Sequence, residues 1–195
     1  MGAASQAGGV VTNGMSYFAR DGENSNSALL VDVRPEDCYE FAGRVHPLAG
    51  VEFQEHLERL AYNAGAVAGA YFAPVQTVGD FLNKNGAANT VKPTYRPGIC
   101  WTDIEMCLPG FVVDSLREAL PEFGKKLKGF DMDGAVITGV ETRSSSPVRI
   151  LRNDNYESTG VKGLYPGGEG AGYAGGIISA AVDGIKISES VIGSY

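Results

Sequence analysis

Hydrophobic residues recur along the chain at two spacings, and the longer spacing marks two helices. In residues 51–64, apolar side chains return every three or four positions, and a glycine follows as a natural stop. The same spacing runs through residues 111–127, where Pro121 predicts a break because proline removes a backbone donor. Between these stretches, Thr102 and Glu105 have the spacing of a capping box, which predicts a further helix start.

Shorter apolar runs predict strands, because continuous or alternating apolar residues between turn residues are typical of them. The clearest run is residues 27–33, which predicts a buried strand. Residues 133–143 and 147–153 predict two strands joined by a serine-rich turn, and residues 70–75 predict a short strand. Residues 161–168 predict a last strand, which leads into a glycine-rich segment and an apolar helix.

The irregular order of these elements favours an α+β fold with a β-rich core. A doubly wound sheet would show a strand, a glycine loop and a helix early in the chain, and this sequence does not. Residues 78–98 are rich in turn residues and predict a long surface loop. With 195 residues, of which 44% are hydrophobic and 20% charged, the chain has the composition of a globular protein.

Composition narrows the classes of partner. There are 16 Lys and Arg against 23 Asp and Glu, a net charge of −7, so nucleic acid and membrane surfaces are not expected partners. The sequence shows neither a bilayer-spanning apolar run nor a signal peptide, so we expect a cytoplasmic protein. The three cysteines form no C-x-x-C pair and are expected to be free thiols. Two histidines without a third ligand predict no metal site.

The glycine-rich segment carries the most informative chemistry. Gly170, Gly172 and Gly175 match the dinucleotide fingerprint G-x-G-x-x-G, although glycine is so dense here that a chance match is easy. A helix starting near Gly175 would present unpaired amides and the positive end of its dipole to an anionic or electron-rich group. A tight connection between strand and helix, with no ligand, accounts for the same residues equally well.

The longer pattern resembles a known family. A strand, the letters GGE, a short loop and the helical GYAGGIISAAVDG are similar to the C-terminal flavin-contacting segment of two-part FAD-dependent oxidoreductases. With further blocks, the chain resembles the C-terminal half of a bacterial family of uncharacterised FAD-dependent dehydrogenases, sometimes labelled NAD(FAD)-utilising. The further blocks are residues 10–31, 46–54, 93–98 and 139–150.

The resemblance implies a division of the chain and a function for the complete protein. Residues 1–150 would be an inserted substrate-side domain, β-rich with packed helices, and residues 151–195 a strand, glycine loop and helix belonging to a discontinuous FAD domain. The complete protein would be a FAD-dependent oxidoreductase, with a nicotinamide nucleotide as a candidate electron donor. The N-terminal Rossmann half is missing from this sequence, so we expect the chain alone to be inactive and to bind FAD weakly or not at all.

The resemblance also implies which residues would meet the cofactor. Glu169 would face the ribityl or pyrophosphate region, and the amides around Gly175, Gly176 and Ile177 would meet the pyrimidine edge of the flavin, where a helix N-terminus stabilises developing negative charge. The implied cofactor-binding residues are Gly168, Glu169, Gly172, Gly175, Gly176 and Ile177. The candidates on the substrate side are Arg143, Ser144 and Ser145, from a turn that also contains Arg149 and could bind a carboxylate or phosphate. A solvated hairpin turn without a ligand accounts for these residues about equally well.

A second hypothesis needs no flavin. The chain could be a self-contained domain that binds a small anion or a partner protein through its glycine turn. Under the first hypothesis the expected partners are the missing FAD-binding half and an unknown small-molecule substrate. Under either, apolar surface left exposed where that half would dock could drive self-association.

Overall fold

The computed structural model describes residues 5–83 and 91–193, in which helices combine with one small mixed sheet. This combination confirms the α+β class, while the finer expectation of a β-rich first domain stays a prediction. The elements are α1 Pro35–Ala42, α2 Ala49–Gly65, β1 Ala73–Thr77, α3 Val78–Asn83, β2 Ile99–Trp101, a 3₁₀ helix Ile104–Cys107, α4 Gly110–Lys126, β3 Val136–Thr138 and α5 Ile177–Gly193.

The chain divides into two compact units, and each is assembled from two segments. The first unit comprises Met1–Val33 and Glu55–Thr142, and the second comprises Arg34–Gln54 and Arg143–Tyr195. The three strands found in the described residues belong to the first unit, and the glycine-rich segment with α5 belongs to the second. These units differ in their bounds from the proposed division at residue 150, which remains a prediction about domains.

The first unit is organised around β1. This strand is central in the order β2-β1-β3, pairing in parallel with β2 (Ala73 opposite Ile99) and antiparallel with β3 (Val75 opposite Thr138). Four of its five residues are buried, as expected for a strand with neighbours on both sides. α3 follows β1 directly, and its buried residues join those of α4 and the 3₁₀ helix in one apolar cluster. That cluster contains Val78, Phe81, Ile104, Val113, Leu116 and Leu120.

The two helices predicted from spacing are present. In α2, Phe53, Leu57 and Ala61 are buried one turn apart, and the helix ends at Gly65 as expected. α4 begins at Gly110 after Pro109 and continues through Pro121, so the predicted break is wrong. Proline removes one hydrogen bond of the helix, and burial of neighbouring side chains, Leu120 among them, holds the helix together across it.

The capping residue of the next element also differs from the prediction. The 3₁₀ helix begins at Ile104, and its cap is Asp103, whose side chain accepts a hydrogen bond from the Glu105 amide. Thr102 and Glu105 therefore do not form the predicted capping box. Asp103 is itself a preferred N-cap residue, and it lies one position nearer to the helix.

Residues 27–33 do not form the predicted buried strand. Leu30 and Val33 are 55 and 42% exposed, while Leu29 and Val31 pack partly against the apolar cluster of the first unit. The segment thus alternates its side chains as an extended chain does, but it has no ladder to a neighbouring strand within the described residues. A run of apolar residues indicates that a segment tends to be buried, but it does not show that a neighbouring strand is available to pair with it.

The residues that follow this segment form α1, which was not predicted from the sequence. Pro35 occupies the first helical position, and the Arg34 amide donates to the Asp37 carboxylate at 2.8 Å. Gly43 ends the helix with a φ of 66°. α3 was missed as well, because its residues lie in the predicted surface loop 78–98. Residues 84–90 of that loop lie outside the described part of the chain.

Two further predicted strands, residues 147–153 and 161–168, are also absent from the described structure. The first makes an isolated bridge, between Arg152 and Ser158, and its other backbone bonds go to residues 156–159 and to Ala171 of the glycine-rich segment. The second is interrupted by a turn in which the Leu164 amide donates to Val161 and Gly163 has a φ of 79°. A positive φ is incompatible with a regular strand, so the apolar residues of this segment do not form one.

Candidate functional site

The glycine loop, defined as residues 167–176, turns sharply and leads into α5. Gly168 and Gly172 have φ values of 70° and 81°, which glycine adopts without strain. The turn closes on itself, because the Gly172 amide donates to Glu169 at 2.9 Å and the Tyr173 amide donates to Gly168 at 3.0 Å. At Gly172 a Cβ atom would lie 2.5 Å from the carbonyl oxygen of Val148, so glycine is required there by packing as well.

The start of α5 presents backbone donors to open space. The Ala180 amide makes the first helical hydrogen bond, to Gly176 at 2.9 Å, so the amides of Ile177 and Ile178 lie ahead of the first intrahelical donor. The first turn of α5 contains no acidic residue, which leaves the positive end of the helix dipole uncompensated.

The glycines beside these amides leave room for a ligand. A Cβ on Gly170, Gly175 or Gly176 would meet no heavy atom within 4 Å, so the backbone is accessible at each position. Glu169 is exposed next to them. An electron-rich group could therefore approach the amides directly, which is what a flavin edge requires, and the residues present fit such a group.

A second segment, residues 146–150, lies against the loop. The Ile150 amide donates to Ala171 at 3.2 Å, and the Arg149 Nε donates to the Gly172 carbonyl at 3.0 Å. The Ser146 hydroxyl lies 3.2 Å from the carbonyl oxygen of Gly170. The serine- and arginine-containing turn singled out in the sequence thus does reach the loop, through Ser146 and Arg149.

The three substrate-side candidates themselves lie just before that contact. Arg143, Ser144 and Ser145 are all exposed, in the same unit as the glycine loop. Their proposed role stays a prediction. Arg149 lies at the loop, with its guanidinium 5.1 Å from the ring centre of Tyr173.

An ion pair between Arg152 and Asp183 was not predicted from the sequence. The guanidinium donates to both carboxylate oxygens, with Nη2–Oδ1 at 2.6 Å and Nη1–Oδ2 at 2.9 Å. This hydrogen bonding to Arg152 lowers the pKa of Asp183, with a smaller contribution from the Gly168 amide, against the opposing effect of burial. The one sequence signal was an acidic residue within the apolar pattern of the last helix, and no spacing rule connects it to Arg152.

The last helix carries its apolar residues on the outside. Ile178, Ile185 and Ile192 are 76, 59 and 75% exposed, although the sequence pattern alone is that of a core helix. Asp183 is the residue of α5 that is buried. The apolar stripe predicted for this helix is therefore present, and within the second unit it is left uncovered.

Other candidate chemistry is sparse in the described ranges. Residues 5–83 and 91–193 contain no group of three or more His, Cys, Asp or Glu that could hold a metal ion. None of the helices in these ranges is both long and apolar enough to cross a bilayer. Cys38, Cys100 and Cys107 are free thiols, and burial, with a smaller contribution from Asp103, raises the pKa of Cys107 to about 11.

Two comparisons place the chain among known proteins. Residues 1–144 match the family described as "FAD-dependent protein, C-terminal domain-like". An uncharacterized protein of Clostridium beijerinckii (strain ATCC 51743 / NCIMB 8052) is 52% identical over 195 residues, covering 99% of this chain and 36% of the relative. The chain thus spans 36% of the length of that relative, and the shared stretch includes the glycine loop and α5. By its match over 144 residues, the chain belongs to the family of FAD-dependent protein, C-terminal domain-like sequences.

Proposed function

We propose that this chain is the C-terminal part of a FAD-dependent oxidoreductase, and that its glycine loop and the start of α5 form one wall of the flavin site. Three observations support the proposal: the family to which the chain belongs, the greater length of its relative, and the open backbone donors before α5. The last of these carries the most weight, because it concerns residues outside the family match.

Each part of the loop would have a distinct task. The amides of Gly175, Gly176 and Ile177 would meet the electron-rich pyrimidine edge of the flavin, and Glu169, with Gly168 and Gly172 shaping the turn, would face the ribityl or pyrophosphate region. When bound, FAD supplies the transfer of a hydride or electron pair. The uncompensated positive end of α5 would stabilise negative charge at the flavin edge and so favour the reduced cofactor.

The substrate side of the proposal rests on the neighbouring arginines and serines. Arg143, Ser144 and Ser145 are exposed, and Arg149 lies at the glycine loop with its Nε bonded to Gly172. A cationic and hydroxyl-bearing surface would suit an anionic substrate or a nicotinamide nucleotide that donates electrons. Residues 1–150 would supply the substrate-side domain, and residues 151–195 the flavin-contacting segment.

Co-expression tests the proposal. The chain is produced together with the part of the Clostridium beijerinckii relative that lies outside the matched stretch, and flavin absorbance is measured on the purified complex. We expect the complex to contain FAD and the chain alone to contain little or none. Gly175→Val fills open space beside the amides and should abolish flavin uptake, whereas Gly160→Val fills open space elsewhere in the same unit and should not. A complex that forms and stays colourless would contradict the proposal.

A second candidate function is a binding domain without redox activity, and the exposed stripe on α5 favours it. Ile178, Ile185 and Ile192 would provide apolar contact with a partner protein or a second copy of the chain. Sedimentation velocity at increasing concentration would detect self-association, and Ile185→Glu should abolish it. A colourless complex together with such association would favour this candidate over the flavoprotein.

A further inference from the structure

The ion pair between Arg152 and Asp183 is bonded to the glycine loop through Asp183 and to the residue just before the loop through Arg152. Oδ2 of Asp183 accepts the Gly168 amide at 2.8 Å, and Nη1 of Arg152 donates to the Pro166 carbonyl at 2.7 Å. The guanidinium also lies 3.6 Å from the ring centre of Tyr173, near the end of the loop. The pair therefore contacts the loop where it begins and again just before α5.

The geometry of the ion pair fixes the relative orientation of the two side chains as well as the distance between them. Arginine presents a planar fork that matches a carboxylate in one bidentate orientation, which a lysine cannot reproduce. Both side chains keep only 10% of their surface exposed, so water does not readily replace either partner. A rotation or shift of α5 would separate the carboxylate from the guanidinium and from the Gly168 amide together.

Apolar packing does little to hold α5 in place. The residue of this helix that is buried is Asp183, while Ile178 and Ile185 are largely exposed. Both clusters of buried apolar side chains found in the described residues lie in the first unit. An intact buried ion pair contributes little more stability than a well-packed apolar pair would, but loss of one partner leaves the other charge buried and destabilises the fold. The intact pair also fixes the orientation of α5.

We propose that Arg152 and Asp183 are positioning residues, which hold the glycine loop and the first turn of α5 so that their amides stay open to the flavin edge. The inference rests on the proposed function and assigns these two residues a part in it. Neither of them would touch the flavin. They act through Gly168 and through the direction of α5.

Hydrogen–deuterium exchange on the 195-residue chain tests the positioning role without flavin. Arg152→Lys keeps the positive charge and loses the fork, and Asp183→Asn keeps an acceptor and loses the charge. We expect each to speed exchange of the hydrogen-bonded amides of Gly168, Gly172, Tyr173 and Ala180 by roughly 10- to 100-fold. The control is Arg117→Lys, which alters the ion pair with Glu105 in the first unit and should leave loop exchange unchanged. Unchanged loop exchange in both test variants would overturn the inference.

The flavin midpoint potential of the co-expressed complex provides a second readout that a merely structural role would not move. A misdirected α5 stabilises the reduced flavin less, so we expect Arg152→Lys to lower the potential while FAD is still bound. Flavin uptake with potential and exchange both equal to wild type would overturn this inference and leave the proposed function standing. Failure of the wild-type complex to take up flavin would overturn the proposed function, and the inference with it.

Discussion

Gly172 is the residue of the loop for which the structure gives the strongest reason to be glycine. Its φ is 81°, and a Cβ would approach the Val148 carbonyl oxygen to 2.5 Å. We expect Gly172→Ala to reduce the free energy of unfolding by about 1 to 3 kcal/mol, because both backbone strain and a clash must be relieved. Urea denaturation followed by circular dichroism measures this loss.

Gly175→Ala is the matched control for that substitution. Its Cβ would enter open space, and its φ lies outside the left-handed region, so the stability change should stay within about 0.5 kcal/mol. Equal losses from the two variants would contradict the assignment of packing to Gly172 and ligand access to Gly175.

Asp183 makes the stability of the second unit depend on pH. Its pKa in the folded protein is lowered, so the pair with Arg152 stabilises the fold above the ordinary aspartate pKa of about 3.9. That contribution is lost as pH falls through the lower folded value. We expect the melting temperature of wild type to exceed that of Asp183→Asn at pH 7, and the difference to shrink below about pH 4. A difference that stays constant from neutral to acidic pH would contradict the lowered pKa.

Some residues of the site could be predicted from the sequence and others could not, for a physical reason. Gly172 and Gly175 were visible because glycine density reports local backbone geometry, which is encoded within a few residues. Arg152 and Asp183 were not, because their pairing depends on how distant segments fold together. The sequence places Arg149 in a predicted turn, but its hydrogen bond to Gly172 cannot be derived from residue spacing.

At the scale of elements, α4 and α5 have similar apolar patterns and opposite environments. Leu120 in α4 is 1% exposed, and Leu120→Ala should reduce the free energy of unfolding by about 2 to 5 kcal/mol. Ile185 in α5 is 59% exposed, and Ile185→Ser should change the free energy by no more than about 0.5 kcal/mol. Chemical denaturation of the two variants compares them. A large loss from Ile185→Ser would show that α5 is packed against apolar surface in the isolated chain.

The elements differ in how far their sequences specified them. α2 and α4 were predictable because an amphipathic period sustained over 17 residues has few alternative explanations. Residues 27–33 and 147–153 were predicted as strands and are not, since a strand also requires a partner at hydrogen-bonding distance. The eight-residue α1 was missed because its signals were confined to one turn, at Pro35 and the acidic residues after it.

At the scale of the whole chain, the two units contain different structural features. The first contains the sheet and both described apolar clusters, and the second contains the glycine loop, the ion pair and the uncovered helix. The family match ends at residue 144, while the similarity to the longer relative extends through the loop. The proposed flavin site, completed by another part of a longer protein, would account for the open amides and for the exposed stripe together.

The most direct test of this account is the FAD content of the chain with and without the part of the relative that lies outside the matched stretch. Both samples are purified under identical conditions, denatured, and analysed for released flavin. We expect stoichiometric FAD in the complex and almost none in the chain alone. A stable complex that releases no FAD would contradict the claim that the glycine loop and the start of α5 form part of a flavin site.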